Sequence, residues 1–507
     1  MSGNMRTGFS CMRIVCRQFC FLAELNRQNS ALSLCQGMEE LRVKTVNVPR
    51  LMISASHKSS GKTLVSLGIM HNLVHDGTSV NSFKKGPDYI DPMWHKLVTG
   101  RECRNLDPFL MGAEACLDSF LGNSDENSFS VIEGNHGFHD GMDIDGFDSS
   151  AGLAKLLQTP VLLVVDSRKV NRGAAAIVKG MQSIPPKTDI AGVILNQVQG
   201  PRQEEKQKIA IERFCGVPVL GAVPKDKELV ITERQLGLTT TGETADAEAV
   251  IRKAGERIAE SCDLDVIRSL FHRAPSLASR VVKKSSRTTA VPVTIGVFRD
   301  PSFCFYYPEN IEALQDNGAD LVFINALEDS SLPAVDGLYL GGGFPESFFE
   351  KLSSNNGLLK EVKNAVQSCI PLYAECGGLI YLCKSAHYEG KTYPLADILP
   401  FEIGFQRKPV GHGYLDLKSC CDSPWFAKDE KVKAHEFHYS KPVSSSGQVA
   451  YQFDIIRGFG ITGQRDGVLS GNLFASFAHL HAIGNPGWGK KFIALASEYH
   501  TKKRIIG

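Results

Sequence analysis

Residues 51–63 read LMISASHKSSGKT, an apolar run followed by a polar loop that ends in Gly61-Lys62-Thr63. The run has the length and composition of a buried strand, and the residues after Thr63 are compatible with a helix. A loop between a strand and a helix directs backbone N–H groups and the helix N-terminus at phosphate. Lys62 would reach the phosphate oxygens, and Thr63 would ligate magnesium. The stretch therefore predicts a nucleotide-binding P-loop, although Ser56 replaces the opening glycine of the usual pattern.

Short apolar runs and helical patterns alternate through the first half of the chain. The runs predicted as strands are Leu51 to Ala55, Val80 to Phe83, Phe129 to Glu133, Val161 to Asp166 and Val193 to Asn196. Glu248 to Ile267 is predicted to be one charged helix that closes this half. Strands that alternate with helices predict a parallel, doubly wound sheet.

A second α/β series follows a stretch without apolar periodicity, residues 273–292, which we interpret as a linker. Its predicted strands are Val293 to Phe298, Asp320 to Asn325, Gly337 to Leu340 and Pro371 to Ala374. The predicted fold class is therefore α/β with two doubly wound domains, at residues 49–272 and 293–500.

The predicted strand Pro371 to Ala374 runs into Glu375-Cys376-Gly377-Gly378. A nucleophile on a sharp strand-to-helix turn is exposed, and the helix N-terminus favours its thiolate. Gly341-Gly342-Gly343 follows another predicted strand, and its amides could complete an oxyanion hole with that of Gly377. His479 and His481, near the C-terminus, are candidate bases. These residues predict a thiol-dependent hydrolytic site.

Charged loops follow the second and third predicted strands of the first half. They carry Lys84, Asp88 and Asp91 after one strand, and Glu133 and Asp140 after the next. Ligands of doubly wound sheets lie beyond the carboxyl ends of the strands, so these loops should converge on the nucleotide phosphates. Carboxylates there can hold magnesium or position a substrate, whereas a single Asp beside Gly can equally serve a turn.

Charge and hydropathy exclude several classes of partner. The 507 residues include 56 basic and 55 acidic side chains, a net charge of +1, so we expect no nucleic-acid partner. No stretch approaches the roughly 18 apolar residues that a membrane span needs, so we expect no membrane association. The 14 cysteines are scattered without paired metal-ligand spacing, which favours reduced thiols in a cytoplasmic enzyme.

Residues 1–48 are interpreted as an N-terminal extension. Arg6, Arg13 and Arg17 precede the first acid, Glu24. An Arg-rich, acid-poor segment is typical of a targeting peptide. A variable extension ahead of the fold, disordered or translated from an upstream start, fits the same pattern, and we favour it.

These motifs together resemble the cobyrinate a,c-diamide synthase family, the glutamine-dependent amidotransferases of corrinoid biosynthesis. The resemblance runs from about Arg50 to Gly487. The stretches that carry it are Gly86 to Pro92, Thr99 to Arg101, Asn105 to Asp107, Phe305 to Asn310, Leu340 to Glu346, Tyr373 to Leu379, His435 to Ser440 and Gly471-Asn472. It implies a dethiobiotin-synthetase-like ATPase domain joined to a class I, triad-type glutaminase domain. Such enzymes use ATP, magnesium and glutamine to amidate the c and a acetates of cobyrinate.

The resemblance also implies roles for individual residues. Cys376 would be the nucleophile, His479 its base, and Gly342, Gly343 and Gly377 the oxyanion hole. The residues expected to bind ATP are Ser59, Ser60, Gly61, Lys62, Thr63, Lys84 and Asn196. Those expected to bind the substrate are Asp88, Tyr89, Ile90, Asp91 and Asp140. Thr63 and Glu133 are expected to ligate the metal. His481 stands where many related glutaminases have glutamate, so a Cys–His dyad is expected.

Two rival functions stay open on the sequence. One is the same chemistry on hydrogenobyrinate or nickel-sirohydrochlorin, or the synthesis of cobyric acid. The other is a P-loop switch ATPase that binds a protein partner, for which Cys376 would have no role. The expected ligands are glutamine, ATP and cobyrinate or a related tetrapyrrole, and the sequence leaves open whether the chain forms a homodimer.

Overall fold

The computed structural model describes residues 44–226, 233–234, 237–244, 246–279 and 292–506. The predicted extension lies outside these residues up to position 43, as does the linker from 280 to 291. Residues 44–46 form a short strand, β1 (Lys44–Val46).

A seven-stranded, all-parallel sheet forms the first half of the chain, in the order β4-β3-β5-β2-β6-β7-β8. Its strands are β2 (Arg50–Ala55), β3 (Val80–Lys85), β4 (Arg104–Leu106), β5 (Phe129–Glu133), β6 (Val161–Asp166), β7 (Ile190–Val198) and β8 (Val219–Pro224). The helices between them are Lys62–His75, Ile90–Thr99, Pro108–Met111, Ala113–Gly122, Ser150–Leu156, Gly173–Ser183 and Pro201–Cys215. The five predicted strands are present, each buried because helices cover both faces of the sheet.

The single helix predicted at 248–267 is wrong, because the chain forms two helices, Ala247–Ser261 and Leu264–Phe271. Asp263 separates them: its carboxylate accepts a hydrogen bond from Val266 N, and its own N–H donates to Leu220 O at 2.8 Å. Aspartate favours this capping position over a helix interior. The short strands β9 (Glu233–Arg234) and β10 (Gly237–Leu238) precede these helices, and β11 (Leu277–Ser279) follows them inside the predicted linker.

The second half contains a nine-stranded sheet in the order β13-β12-β14-β15-β24-β23-β22-β19-β20. Its strands are β12 (Val293–Phe298), β13 (Ala319–Ile324), β14 (Gly337–Leu340), β15 (Leu372–Glu375), β19 (Gly411–Ser419), β20 (Lys431–His438), β22 (Ala450–Arg457), β23 (Arg465–Ser470) and β24 (Leu473–Ser476). A separate four-stranded sheet comprises β16 (Cys383–Tyr388), β17 (Lys391–Pro394), β18 (Leu399–Phe405) and β21 (Ser440–Ser445). The helices are Pro308–Asp316, the 3₁₀ turn Pro345–Phe348, Phe349–Ser354, Asn356–Gln367, Gly377–Leu382 and Gly487–Ile506.

The nine-stranded sheet has two parts. From β13 to β24 the pairing is parallel, as the sequence predicts, and from β24 to β20 it is antiparallel. The α/β fold class is therefore confirmed for both halves, and the antiparallel extension is an addition that the sequence analysis did not foresee. Among the described helices, none is long and apolar enough to cross a membrane.

Contacts between the halves place the ends of their strands together. Arg104, in β4, donates two hydrogen bonds from its guanidinium to the two carboxylate oxygens of Glu312, at 2.8 and 2.5 Å. Tyr414 in β19 donates a hydrogen bond from its hydroxyl to Asp107 at 2.7 Å. A bidentate pair between arginine and a carboxylate, such as Arg104 with Glu312, fixes the orientation of the two groups as well as their distance. The carboxyl end of the first sheet therefore faces strands of the second half.

Candidate active site

The P-loop forms between β2 and the helix that begins at Lys62. Gly61 caps that helix with φ of 91°, and Ser59 also has a positive φ of 59°. The hydroxyl of Ser60 donates to His57 O at 2.7 Å, and Asn196 Nδ2 donates to Ser60 O at 2.8 Å. These bonds hold the loop in shape despite Ser56. Asn196, predicted to bind ATP, here also supports the phosphate loop.

Lys62 is buried, and its ammonium donates to His136 O at 2.6 Å. Burial and the nearby Lys84 lower the pKa of Lys62 to about 8. Burial and Lys58 likewise lower the pKa of His136 to about 4, which leaves that imidazole neutral. The positive charge at this end of the site is therefore concentrated on lysine side chains.

Lys84 and Glu133 form the centre of the predicted metal and phosphate site. Lys84 Nζ lies 2.9 Å from Glu133 Oε1 and also binds the Asp91 carboxylate. The Thr63 hydroxyl donates to Glu133 at 2.9 Å and lies 3.4 Å from Asp91. Although burial alone would raise it, Lys84 and His95 hold the pKa of Glu133 well below its usual range. Burial and Asp88 raise the pKa of Asp91 to about 7.

The substrate loop, residues 86–91, turns at the carboxyl end of β3. Asp88 accepts hydrogen bonds from Ile90 N at 2.9 Å and Asp91 N at 3.1 Å, so it caps the helix Ile90–Thr99. Asn105 Nδ2 donates to Gly86 O and to Asp88 O, at 2.8 and 2.7 Å. Asp140 accepts from Gly137 N at 2.8 Å. The predicted substrate residues are thus held by backbone bonds at one edge of the sheet.

Tyr89, in the substrate loop, contacts residues of the second half of the chain. Its buried ring stacks on Phe305, with centroids 5.0 Å apart and planes 6° apart, and lies 5.3 Å from the His479 ring. The predicted substrate loop and the predicted glutaminase base are therefore in direct contact.

Cys376 stands on the predicted elbow between β15 and the helix Gly377–Leu382. Its φ of 45° and ψ of −98° are strained for a residue with a side chain, and such strain is concentrated at functional sites. Burial, aided by Glu346, raises the pKa of the Cys376 thiol, and a hydrogen bond from the Gly377 amide opposes the rise only in part. Burial therefore opposes the effect expected of the helix N-terminus, and a base near the elbow is needed to take the thiol proton.

The ring of His479 packs against Gly342 in the predicted oxyanion loop, residues 341–343. A Cβ on Gly342 would stand 2.4 Å from His479 Cε1, and one on Gly377 would stand 3.1 Å from Gly343 N. Nδ1 of His479 has no hydrogen-bond partner among the described residues, and no hydrogen bond joins the ring to Cys376 there. Catalytic hydrogen bonds are often long before substrate binds. The structure brings the predicted glycines and His479 together around the elbow.

The carboxylate nearest to His479 comes from Glu375, directly before the nucleophile. Glu375 Oε2 lies 3.7 Å from His479 Nδ1, and Oε1 accepts hydrogen bonds from Leu480 N at 3.0 Å and the Tyr373 hydroxyl at 3.1 Å. His481 lies elsewhere, 3.6 Å from Glu309, and burial lowers its pKa to about 3. An imidazole with so low a pKa is a poor proton acceptor, which favours His479 as the base.

One cavity of about 920 Å³ extends from the P-loop to His479. The first half lines it with the P-loop, the substrate loop, Asp140 and Asn196, and the second half contributes Phe305, His412, Tyr414, His435, Phe437, Arg457 and His479. Ligand pockets usually have volumes of about 300–1,000 Å³, so this one is large enough for more than a nucleotide.

Sequence reasoning missed several residues of the site: Lys85, His95, Asn105 and the position of Glu375. Lys85 follows Lys84 in a strand, where neighbours point to opposite faces, and this alternation was the available signal. His95 Nε2 lies 2.8 Å from Glu133, and the spacing of residues along the helix does not predict this pairing.

Comparison with known proteins agrees with this arrangement. Residues 294–486 match the model of the CobB/CobQ-like glutamine amidotransferase domain, and residues 51–236 match the CobQ/CobB/MinD/ParA nucleotide binding domain. The chain is 45% identical over 447 residues to the cobyrinate a,c-diamide synthase of Magnetococcus marinus, covering 87% of this chain and 96% of that protein. The enzymes of that name from Archaeoglobus fulgidus and Methanobrevibacter smithii are each 37% identical, over 90% and 89% of this chain and 99% of their own lengths. By sequence, by both domains and by length, this chain belongs to the cobyrinate a,c-diamide synthase family.

Proposed function

We propose that this chain catalyses the ATP-dependent amidation of the a and c acetate carboxylates of cobyrinate, with ammonia from glutamine. The observation that carries the proposal is the shared cavity, in which the P-loop, the acidic substrate loop and His479 line one space. Phosphoryl transfer and ammonia delivery can meet there without release of either intermediate.

Ammonia is generated at the elbow. His479 takes the thiol proton, the sulfur of Cys376 attacks the side-chain amide carbon of glutamine, and the imidazolium returns the proton to the leaving ammonia. The amides of Gly343 and Gly377, which lie close together beside the elbow, would stabilise the oxyanion of the tetrahedral intermediate. Water then hydrolyses the thioester to glutamate. Glu375 keeps the imidazole oriented and stabilises its charged form.

The carboxylate is activated at the other end of the cavity. A carboxylate is a poor electrophile, so its oxygen attacks the γ-phosphorus of ATP, ADP leaves, and ammonia displaces phosphate from the acyl phosphate. Lys62 and Lys84 are positioned to stabilise charge on the transferring group. The contact between the Tyr89 and His479 rings supports an acceptor site close to the source of ammonia.

The residues at the phosphate end fit magnesium. Carboxylate oxygens of Asp91 and Glu133 lie 3.4 and 2.9 Å from the Thr63 hydroxyl, and magnesium prefers one or two carboxylates together with substrate phosphates. No larger group of His, Cys, Asp or Glu suited to a metal occurs in the part of the chain that the structure describes. Bound there, magnesium would neutralise phosphate charge.

The test is product analysis. Purified protein is incubated with ATP, magnesium, glutamine and, separately, cobyrinate, hydrogenobyrinate or nickel-sirohydrochlorin, and amides are counted by mass spectrometry. Two amides on cobyrinate, with glutamate formed in step, are the expected result. Unchanged mass on every macrocycle would refute the proposal, and diamide formation on another macrocycle alone would reassign the substrate.

A further inference from the structure

Two cations, the buried Lys85 and the exposed Arg457, line the cavity without an ion pair or hydrogen bond to any residue that the structure describes. The side chain of Lys85 is 3% exposed, yet within the described residues its ammonium forms no ion pair or hydrogen bond. Arg457, on the wall contributed by the second half, is likewise unpaired in the part of the chain described here. A buried charge normally has a partner, because removing it from water is costly. An anion that enters the cavity would supply one.

Lys85 differs from its neighbour Lys84. Lys84 is neutralised by Asp91 and Glu133 beside the P-loop. Lys85 projects from the other face of β3, where its charge partly offsets the rise that burial causes in the pKa of Asp107. Asp107 in turn accepts a hydrogen bond from Tyr414 at 2.7 Å. Lys85 therefore lies beside the contact between Asp107 and the second half, and its charge also acts on His136 next to the P-loop.

An aromatic pair and a fixed turn complete the opposite wall. His412 and Phe437 are directly opposed in β19 and β20, with ring centroids 4.6 Å apart. Arg457 ends β22, and Glu436 holds the turn behind it by accepting hydrogen bonds from Phe459 N at 2.7 Å and Gly460 N at 2.8 Å. This buried carboxylate fixes the backbone from which the arginine projects.

We propose that the glutaminase half of the chain supplies half of the macrocycle site: His412 and Phe437 pack on the ring, while Arg457 and Lys85 bind peripheral carboxylates that are not being amidated. This inference rests on the proposed function, because it takes the macrocycle as the ligand. A tetrapyrrole polycarboxylate combines a flat apolar surface with several negative charges, and the wall offers the complement of both. Binding the acids at fixed points would select which acetate reaches the substrate loop.

The experiment measures equilibrium binding of cobyrinate by dialysis, with no ATP present, and the KM for cobyrinate and for ATP. Lys85→Met should weaken macrocycle binding by about tenfold or more, because a buried charged hydrogen bond is lost. Arg457→Gln, at an exposed position, should weaken it by about fivefold. In Arg457→Gln, the KM for ATP and the rate of glutamine hydrolysis without macrocycle should stay at wild-type values. Arg465→Gln is the matched control, since Arg465 lies on β23 of the same sheet, paired with Asp454 and outside the cavity.

The outcomes separate the two proposals. If the wild type neither binds nor amidates any of the three macrocycles, the proposed function fails. If the wild type amidates cobyrinate but Arg457→Gln and Phe437→Ala bind it as tightly as Arg465→Gln does, the inference alone is overturned. A rise in the KM for ATP in Lys85→Met, with macrocycle binding unchanged, would assign Lys85 to phosphate and also contradict it. Arg457→Gln keeps the test valid if Lys85→Met fails to fold.

Discussion

Oε2 of Glu375 lies 3.7 Å from Nδ1 of His479, and both side chains are almost completely buried. Glu375 belongs to the elbow itself, so the residue before the nucleophile provides the carboxylate that related glutaminases take from beyond the histidine. The expected Cys–His dyad thus has a third group beside it, in a position that the histidine motif does not reveal. A carboxylate there favours the tautomer with a proton on Nδ1 and leaves Nε2 free to accept one.

Glu375→Gln should reduce kcat for glutamine hydrolysis by about tenfold or more, because the amide cannot stabilise the imidazolium. Amidation with free ammonium should be unaffected. The two activities of the same variant are the decisive measurement: glutamate release from glutamine should fall, while the rate of amide formation with ammonium chloride should equal that of the wild type. An equal loss of ammonium-dependent activity would show that Glu375 acts only in folding, and unchanged glutamate release would show that His479 does not need this carboxylate.

Cys376→Ala should abolish glutamine-dependent amidation while sparing synthesis from free ammonium. The elbow is buried, and the alanine side chain is smaller than the cysteine side chain, so the second site should be undisturbed. Initial rates of amide formation with glutamine and with ammonium chloride check this. Cys383→Ala, at another buried cysteine of the same core, is the control and should retain both activities. Loss of both activities in Cys376→Ala would count against two separate sites.

Gly342→Ala should lower glutaminase kcat by up to about a hundredfold, since its Cβ would stand 2.4 Å from His479 Cε1 and push the ring aside. The measurement is glutamate release without macrocycle, alongside ammonium-dependent amidation, which should persist. Gly180→Ala is the matched control, because no atom lies within 4 Å of the added carbon there. Wild-type hydrolysis in Gly342→Ala would show that the imidazole does not need to rest on this loop.

The sequence was informative where structure is local. The run 51–55, the glycine-containing loop and the following helix are neighbours in the chain, so period and turn chemistry predict them. The elbow at Cys376 could be predicted for the same reason. By contrast, Glu375 and His479 meet only because β15 and β24 pair in parallel, with Glu375 opposite Ser476. Such a register depends on the packing of the whole sheet.

The antiparallel extension of the second sheet is the largest feature that the sequence analysis did not predict. Residues 431–434 alternate between exposed and buried positions, a pattern typical of a half-buried strand. The alternation of buried and exposed residues, however, does not predict which strand will pair with β20 or which cavity β20 will line. The wall with His412, Phe437 and Arg457 could therefore be recognised only after folding had brought these strands to the P-loop half.

ATP binding should take up protons near pH 8, because burial and Lys84 lower the pKa of Lys62 to about 8 before phosphate arrives. At that pH about half of the Lys62 side chains are neutral, and phosphate favours the charged form, so binding raises the pKa and draws a proton from solvent. Because the neutral form of Lys62 binds phosphate less well, the affinity for ATP should fall as the pH rises above about 8. Calorimetry at pH 8.5 in two buffers of different ionisation enthalpy measures the uptake directly. Lys62→Arg, charged at every accessible pH, should bind ATP without the uptake, and equal heats in both buffers for the wild type would contradict a neutral Lys62.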